Sequence, residues 1–202
     1  MTNIARGEEQ RRMYSTLEKV ILLALSDGNF AAADASDGSL ARAYGAAAAA
    51  DLSVAGLLPA GPEKFRLRKS NGFRGRVFEK SAAAAAGYAV LSDAARELEK
   101  IAPELERICV DELLEKSALA TARQFGFFGR EVLKVADARA CRQIRESVFA
   151  AVSGEEEPDF RSAALIWALF CGGLAAVALS RAQLRKFGVR VSEIAEEFAR
   201  PE

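Results

Sequence analysis

Apolar positions along this chain recur mainly at helical spacing, in blocks separated by glycine, proline and short polar runs, and so predict a mainly helical protein. Residues 15–28, STLEKVILLALSDG, open with Ser15 and Glu18, the spacing of a capping box. The apolar run that follows predicts a largely buried first helix, stopped at Asp27-Gly28. A short strand-like piece over 29–32 and the turn signal SDGS lead to residues 40–58, LARAYGAAAAADLSVAGLL, an alanine-rich helix whose small side chains permit close packing. The two five-alanine tracts, 46–50 and 82–86, read as runs of strong helix formers.

Between these tracts the period changes. In EKFRLRKSNGFRGRVFEK, residues 63–80, Phe65, Leu67, Phe73 and Val77 alternate with Arg66, Arg68, Arg74 and Arg76, the period-two pattern of a half-buried hairpin around Asn71-Gly72. A two-residue loop would set Leu67 opposite Arg76 and mix the faces. A three-residue loop, Ser70 to Gly72, puts Arg68 opposite Arg74 and gathers the arginines on one face, so it is preferred. With Lys64, Lys69 and Lys80 nearby, the hairpin carries most of the local positive charge. Like charges facing across strands cost stability. The patch formed by Arg66, Arg68, Lys69, Arg74 and Arg76 is thus either a contact for an anionic partner or a solvated face.

Helical spacing returns over residues 87–118, with a break at Ala102-Pro103 that places the proline in the first turn of a second helix. There Leu105, Ile108, Cys109, Leu113 and Leu114 make an apolar stripe, and Glu104, Glu106, Asp111, Glu112 and Glu115 read as a solvated acidic face. Residues 121–135, TARQFGFFGREVLKV, set Phe125, Phe127 and Phe128 around Gly126 and Gly129, at the tip of a predicted hairpin between Leu119 and Val135. Such a tip is either covered or buried in a partner. Asp137 is a good N-cap for a helix that turns Cys141, Ile144, Val148 and Val152 inward and Arg139, Arg142 and Arg145 outward. The uncharged stretch SAALIWALFCGGLAAVALS, residues 162–180, is long enough to span a bilayer, but Gly172-Gly173 interrupts it and it has no aromatic belt. It reads as a buried helix, broken at the glycines, with an amphipathic C-terminal helix ending near Phe198 after it.

Composition narrows the chemistry. The 28 basic and 28 acidic residues cancel, so attraction to an anionic surface must come from local patches. The chain has no histidine, which removes Ser-His-Asp and Cys-His nucleophiles and imidazole metal sites; with no metal cluster or glycine-rich phosphate loop either, an enzyme is not expected. Cys109, Cys141 and Cys171 are widely spaced and read as reduced thiols, fitting a cytoplasmic location, and no secretory signal is apparent in the polar MTNIARGEEQRR. No basic recognition helix points to nucleic acid.

The order of parts resembles the Golgi phosphoprotein 3 family, in the manner of a divergent, bacterial-type member. The resemblance is carried by LEKVILLALSDG (17–28), GYAVLSDAARELEKI (87–101), ELLEKSAL (112–119) and EPDFRSAALIWALFCGGLAAVAL (157–179). It implies a flexible segment over 1–13 and a single domain over 14–200: a mainly α, compact helical bundle with a buried central helix, decorated by β-hairpins at about 63–80 and 118–135. It further implies a non-enzymatic, cofactor-free, cytoplasmic protein peripheral at a membrane. In such proteins an apolar hairpin, here the Phe125, Phe127 and Phe128 stretch, is linked to membrane insertion and to subunit contact. The partners so implied are an anionic membrane surface or phosphatidylinositol 4-phosphate, a membrane-enzyme tail in adaptor roles, or a second copy of the chain.

The family's headgroup pocket takes a tryptophan and an arginine from an early helix and two arginines, three apart, from the acidic helix. Placed without gaps, this chain has Pro103 and Glu106 at the latter positions and Gly45 on the early helix, while Trp167 lies in the buried stretch. A slip of one residue brings in only Arg107 among five carboxylates, a poor phosphate site. Headgroup specificity is therefore expected to be weak or absent. The alternative is a protein-interaction or homo-oligomerisation module that uses the phenylalanine-rich hairpin without binding lipid.

Overall fold

The computed structural model describes residues 14–26, 38–60, 75–123 and 131–200. Its elements are α1 (Thr16–Ser26), α2 (Ser39–Val54), α3 (Arg76–Ala84), α4 (Leu91–Lys100), α5 (Ala102–Glu115), β1 (Leu119–Arg123), β2 (Glu131–Val135), α6 (Ala138–Ser153), α7 (Phe160–Cys171), a short 3-10 turn (Ala175–Val177) and α8 (Arg181–Ala199).

Helix α1 starts as its capping box predicts: the Ser15 N–H donates to Glu18 Oε2 at 2.8 Å and the Glu18 N–H donates to Ser15 Oγ at 3.2 Å. Leu17, Val20, Ile21, Leu22 and Leu23 are then buried almost without residue. Helix α2 runs beside α1, α3, α4, α5 and α7. All of Ala46 to Ala50 are buried, so the alanine tract lets five neighbours approach one axis. At Gly45 the approach is closest, since an added Cβ would lie 2.5 Å from the Ala95 carbonyl oxygen and 2.6 Å from the Glu99 nitrogen of α4. No side chain fits there.

Helix α7 is buried from Ala163 to Leu169 and ends at the predicted glycine pair. A Cβ on Gly172 would meet Ala43 at 2.6 Å and the Ser39 carbonyl oxygen at 2.7 Å, while Gly173 takes φ +67°, so both glycines are required by the turn. Helix α8 packs back on α7, with Phe198 against Phe160 and Trp167 at centroid distances of 5.1 and 5.5 Å. Among the described residues no helix is long and apolar enough to cross a membrane.

The hairpin expected over 118–135 is present, antiparallel, with Leu119 opposite Val135 and Arg123 opposite Glu131. The one expected over 63–80 is not as drawn. Residues from Arg76 onward form α3, and the rest of that stretch up to 74 lies outside the described residues. Val77 and Ser81 satisfy helical as well as alternating spacing, and both are buried on one side of α3. The alanines that follow favour helix, and a carboxylate from α5 supplies the missing cap, so the helix extends back over residues that alternation alone assigns to a strand.

Candidate functional site

The base of the β1–β2 hairpin is clamped to the bundle. The Ala118 carbonyl accepts the N–H groups of Ala136 (2.9 Å) and Asp137 (3.2 Å), closing the two strands at their root. Asp137 Oδ1 accepts the Ala140 N–H at 2.9 Å, capping α6, and its Oδ2 accepts the Tyr14 hydroxyl at 2.9 Å. One carboxylate thus joins the hairpin exit, α6 and the lead-in to α1. Leu119 is buried and Leu133 and Val135 are half-buried, while β2 lies on α1. Phe125, Phe127 and Phe128 belong to the link between the strands, residues 124–130, which is outside the described residues.

Of the predicted cationic patch, Arg66, Arg68, Lys69 and Arg74 are also outside the described residues, and Arg76 is the first residue of α3. Its guanidinium Nη2 donates to Glu115 Oε1 at 2.8 Å and its Nε lies 3.9 Å from Glu112 Oε1. Glu112 Oε1 also accepts the backbone N–H groups of Arg76 (2.7 Å) and Val77 (3.4 Å), and Lys80 pairs with Glu104 at 3.0 Å. The α5 face read as solvated is therefore partly a docking face for α3. Arg145 departs from expectation in the same way: it is half-buried, donating from Nε to the Val177 carbonyl (3.1 Å) and from Nη2 to Ser26 Oγ (2.7 Å).

A polar crevice opens beside this contact, lined by Ser15, Glu18, Asp51, Ser81, Glu112 and Lys116 among others. Asp51, buried on α2, accepts the N–H groups of Thr16 (2.7 Å) and Leu17 (3.1 Å) and so caps α1 from a different helix. Burial raises its pKa to about 6 against the opposing pull of those bonds. Buried Glu18 pairs with the ammonium of Lys116, the C-cap residue of α5. Half-buried Lys19 has its pKa lowered, chiefly by desolvation and only partly restored by Asp51. Sequence patterning did not single out Asp51, although one carboxylate inside AAAAADLSV was the available signal: a lone charge in an apolar run must find a buried partner.

Where the family resemblance places headgroup arginines, the chain has Glu106 and Pro103. The Tyr44 hydroxyl of α2 reaches Glu106 Oε1 at 3.5 Å, and desolvation raises the Glu106 carboxyl while the tyrosine bond opposes it. Arg107, one position on, faces Asp111 at 4.0 Å. An acidic carboxyl in that position repels a phosphate.

All three cysteines are free, and burial raises the Cys109 thiol well above its ordinary value, raises Cys141, and pushes Cys171 up to about 11, so none supplies a thiolate near neutral pH. Among the described residues no group of three or more acidic or thiol side chains is placed to hold a metal.

These features define a helical-bundle protein that carries a β-hairpin on a clamped base. The family model described as Golgi phosphoprotein 3 (GPP34) matches residues 17–202, and the chain belongs to that family. No curated protein matches it.

Proposed function

We propose that this protein is a non-enzymatic peripheral membrane or adaptor-type member of the Golgi phosphoprotein 3 family. It attaches through the phenylalanine-rich link of its hairpin and does not select a phosphoinositide headgroup. The observation that carries the reading is the clamped hairpin, whose strands bracket QFGFFGR and are tied through Ala118 and Asp137 to α1 and α6. A fixed base sets where the two strands leave the bundle. Arg66, Arg68, Lys69 and Arg74 add a cationic complement, and an apolar anchor with a basic patch is the pair that stable interfacial binding needs. Arg76, engaged by Glu115 and Glu112, contributes less.

Sedimentation with phosphatidylserine-containing vesicles tests this on wild type and on the Phe127→Ser/Phe128→Ser double variant. Wild type should sediment and the variant should stay in solution; equal failure of both ends the membrane reading. Glu106 in place of an arginine supports a second reading, in which the same phenylalanines pack on another copy of the chain or on a protein partner. A change in solution mass in the double variant, without any vesicle binding by wild type, would favour it.

A further inference from the structure

Helix α8 carries its charges in an order that opposes its own dipole. Arg181, Arg185, Lys186 and Arg190 occupy its N-terminal half, while Glu193, Glu196 and Glu197 occupy its C-terminal half. There is no acid in its first turn and no base in its last. Cations in a first turn and carboxylates in a last turn work against a helix, so the dipole does not account for Arg181, Glu196 or Glu197.

Four of these seven charges fall on one exposed stripe. Ala182, Arg185, Lys186, Val189, Glu193 and Glu196 recur at three- and four-residue spacing and are all exposed, with Val189 at 74%. Gly188, beside Val189, has nothing within 4 Å of where a Cβ would stand, so the backbone there is open to close approach. The opposite side of the helix, with Val191, Ile194, Ala195 and Phe198, is buried in the bundle.

We propose that this stripe is a self-complementary contact on which α8 of a second copy of the chain lies antiparallel. The twofold axis passes near Val189. Residues equally far from Val189 on either side then face each other across the seam, which sets Arg185 opposite Glu193 and Ala182 opposite Glu196, twice over by symmetry. Lys186 comes within a turn of the same carboxylates. The two helix dipoles also run antiparallel, and each basic half meets an acidic one. The Arg190–Glu193 pair within one chain, at 3.3 Å and with both side chains about half exposed, can be exchanged for a pair across the seam.

A second copy fits both halves of the helix with one partner. An anionic membrane would attract only the N-terminal half and be repelled by Glu193 and Glu196. The seam is short and mostly polar, so the association is weak and weakens further as salt screens it. It is independent of any contact made by the hairpin.

The test is sedimentation velocity on the full chain at low and at high salt, with paired charge reversals. Wild type should self-associate at low salt and dissociate as salt rises. Arg185→Glu/Lys186→Glu and Glu193→Lys/Glu196→Lys should each weaken self-association at least about 10-fold. Mixed together they should form a heterodimer, since positions 185 and 193 then face each other with opposite charge on both sides of the axis. The quadruple variant, with both halves exchanged, should regain the wild-type behaviour. All four side chains are exposed on the face of α8 away from the core, so circular dichroism should show the wild-type helix content in each variant. A wild type that is monomeric at low salt, a mixture that does not associate, or self-association unmoved by the reversals overturns the proposal. So does vesicle binding that depends on Arg185 and Lys186 in a chain that never self-associates.

Discussion

The Glu112 carboxylate on α5 accepts the backbone N–H of Arg76 at 2.7 Å, so a side chain 36 residues away caps α3. The N-cap position itself is Gly75, which has no side chain to offer. Asp51 does the same for α1, 35 residues distant from Thr16. Caps supplied from other helices turn local helix ends into tertiary contacts, and losing one costs more than the helix it starts.

Glu112→Ala removes the acceptor for two N–H groups as well as the ion pair to Arg76. It should destabilise the protein by about 1–2 kcal/mol in urea unfolding. Arg76→Ala, whose side chain is 53% exposed, should cost less than about 1 kcal/mol. An equal cost for both would mean that the ion pair, and not the cap, holds α3.

Asp51 gives a pH dependence whose sign is fixed by its raised pKa. The unfolded chain releases this proton near 3.8 and the folded chain at about 6, so between those values the folded state holds the extra proton. Its contribution is fully present below the lower value and is lost as pH rises through about 6, a swing on the order of 3 kcal/mol. Thermal melts of wild type and Asp51→Asn across pH 4 to 7 isolate it. The advantage of wild type over the variant should shrink as pH rises; an advantage that grows would contradict the burial of this carboxyl.

Gly45→Ala forces a methyl group against the backbone of α4. The overpacking, about 1–3 kcal/mol, should outweigh the gain of about 1 kcal/mol in helix propensity, giving a lower melting temperature by calorimetry. A bulky aromatic residue at this position is excluded on the same grounds.

The neighbourhood of Glu106 predicts lipid selectivity. Vesicles of equal charge carrying phosphatidylinositol 4-phosphate or phosphatidylserine should compete within about 3-fold of each other, a difference under 1 kcal/mol. A tenfold preference for the phosphoinositide would show that cations elsewhere complete a headgroup pocket.

Much of the architecture is legible in the chain because its signals are local. The Ser15–Glu18 box, the Asp137 cap, the Pro103 start and the Gly172-Gly173 break each act within a few residues, and each stands where periodicity places it. What local signals do not carry depends on distant partners. Alternation from Phe73 to Val77 points to a strand at the start of α3, because the cap from Glu112 is not visible in the sequence. The acidic face of α5 reads as solvated because nothing near it in sequence shows that α3 lies there. Asp51 and the Tyr44–Glu106 contact join residues 34 to 62 positions apart and leave no periodic trace.

The central claim, that the hairpin link enters a membrane, is tested most directly by a reporter placed in it. The only native tryptophan, Trp167, is 4% exposed in the core and provides a constant background. In Phe127→Trp, phosphatidylserine vesicles should shift the added emission to the blue, and lipids brominated on their acyl chains should quench it, while wild type shows neither change. Emission that stays at its aqueous wavelength and unquenched on vesicles that nevertheless bind the protein would contradict the account.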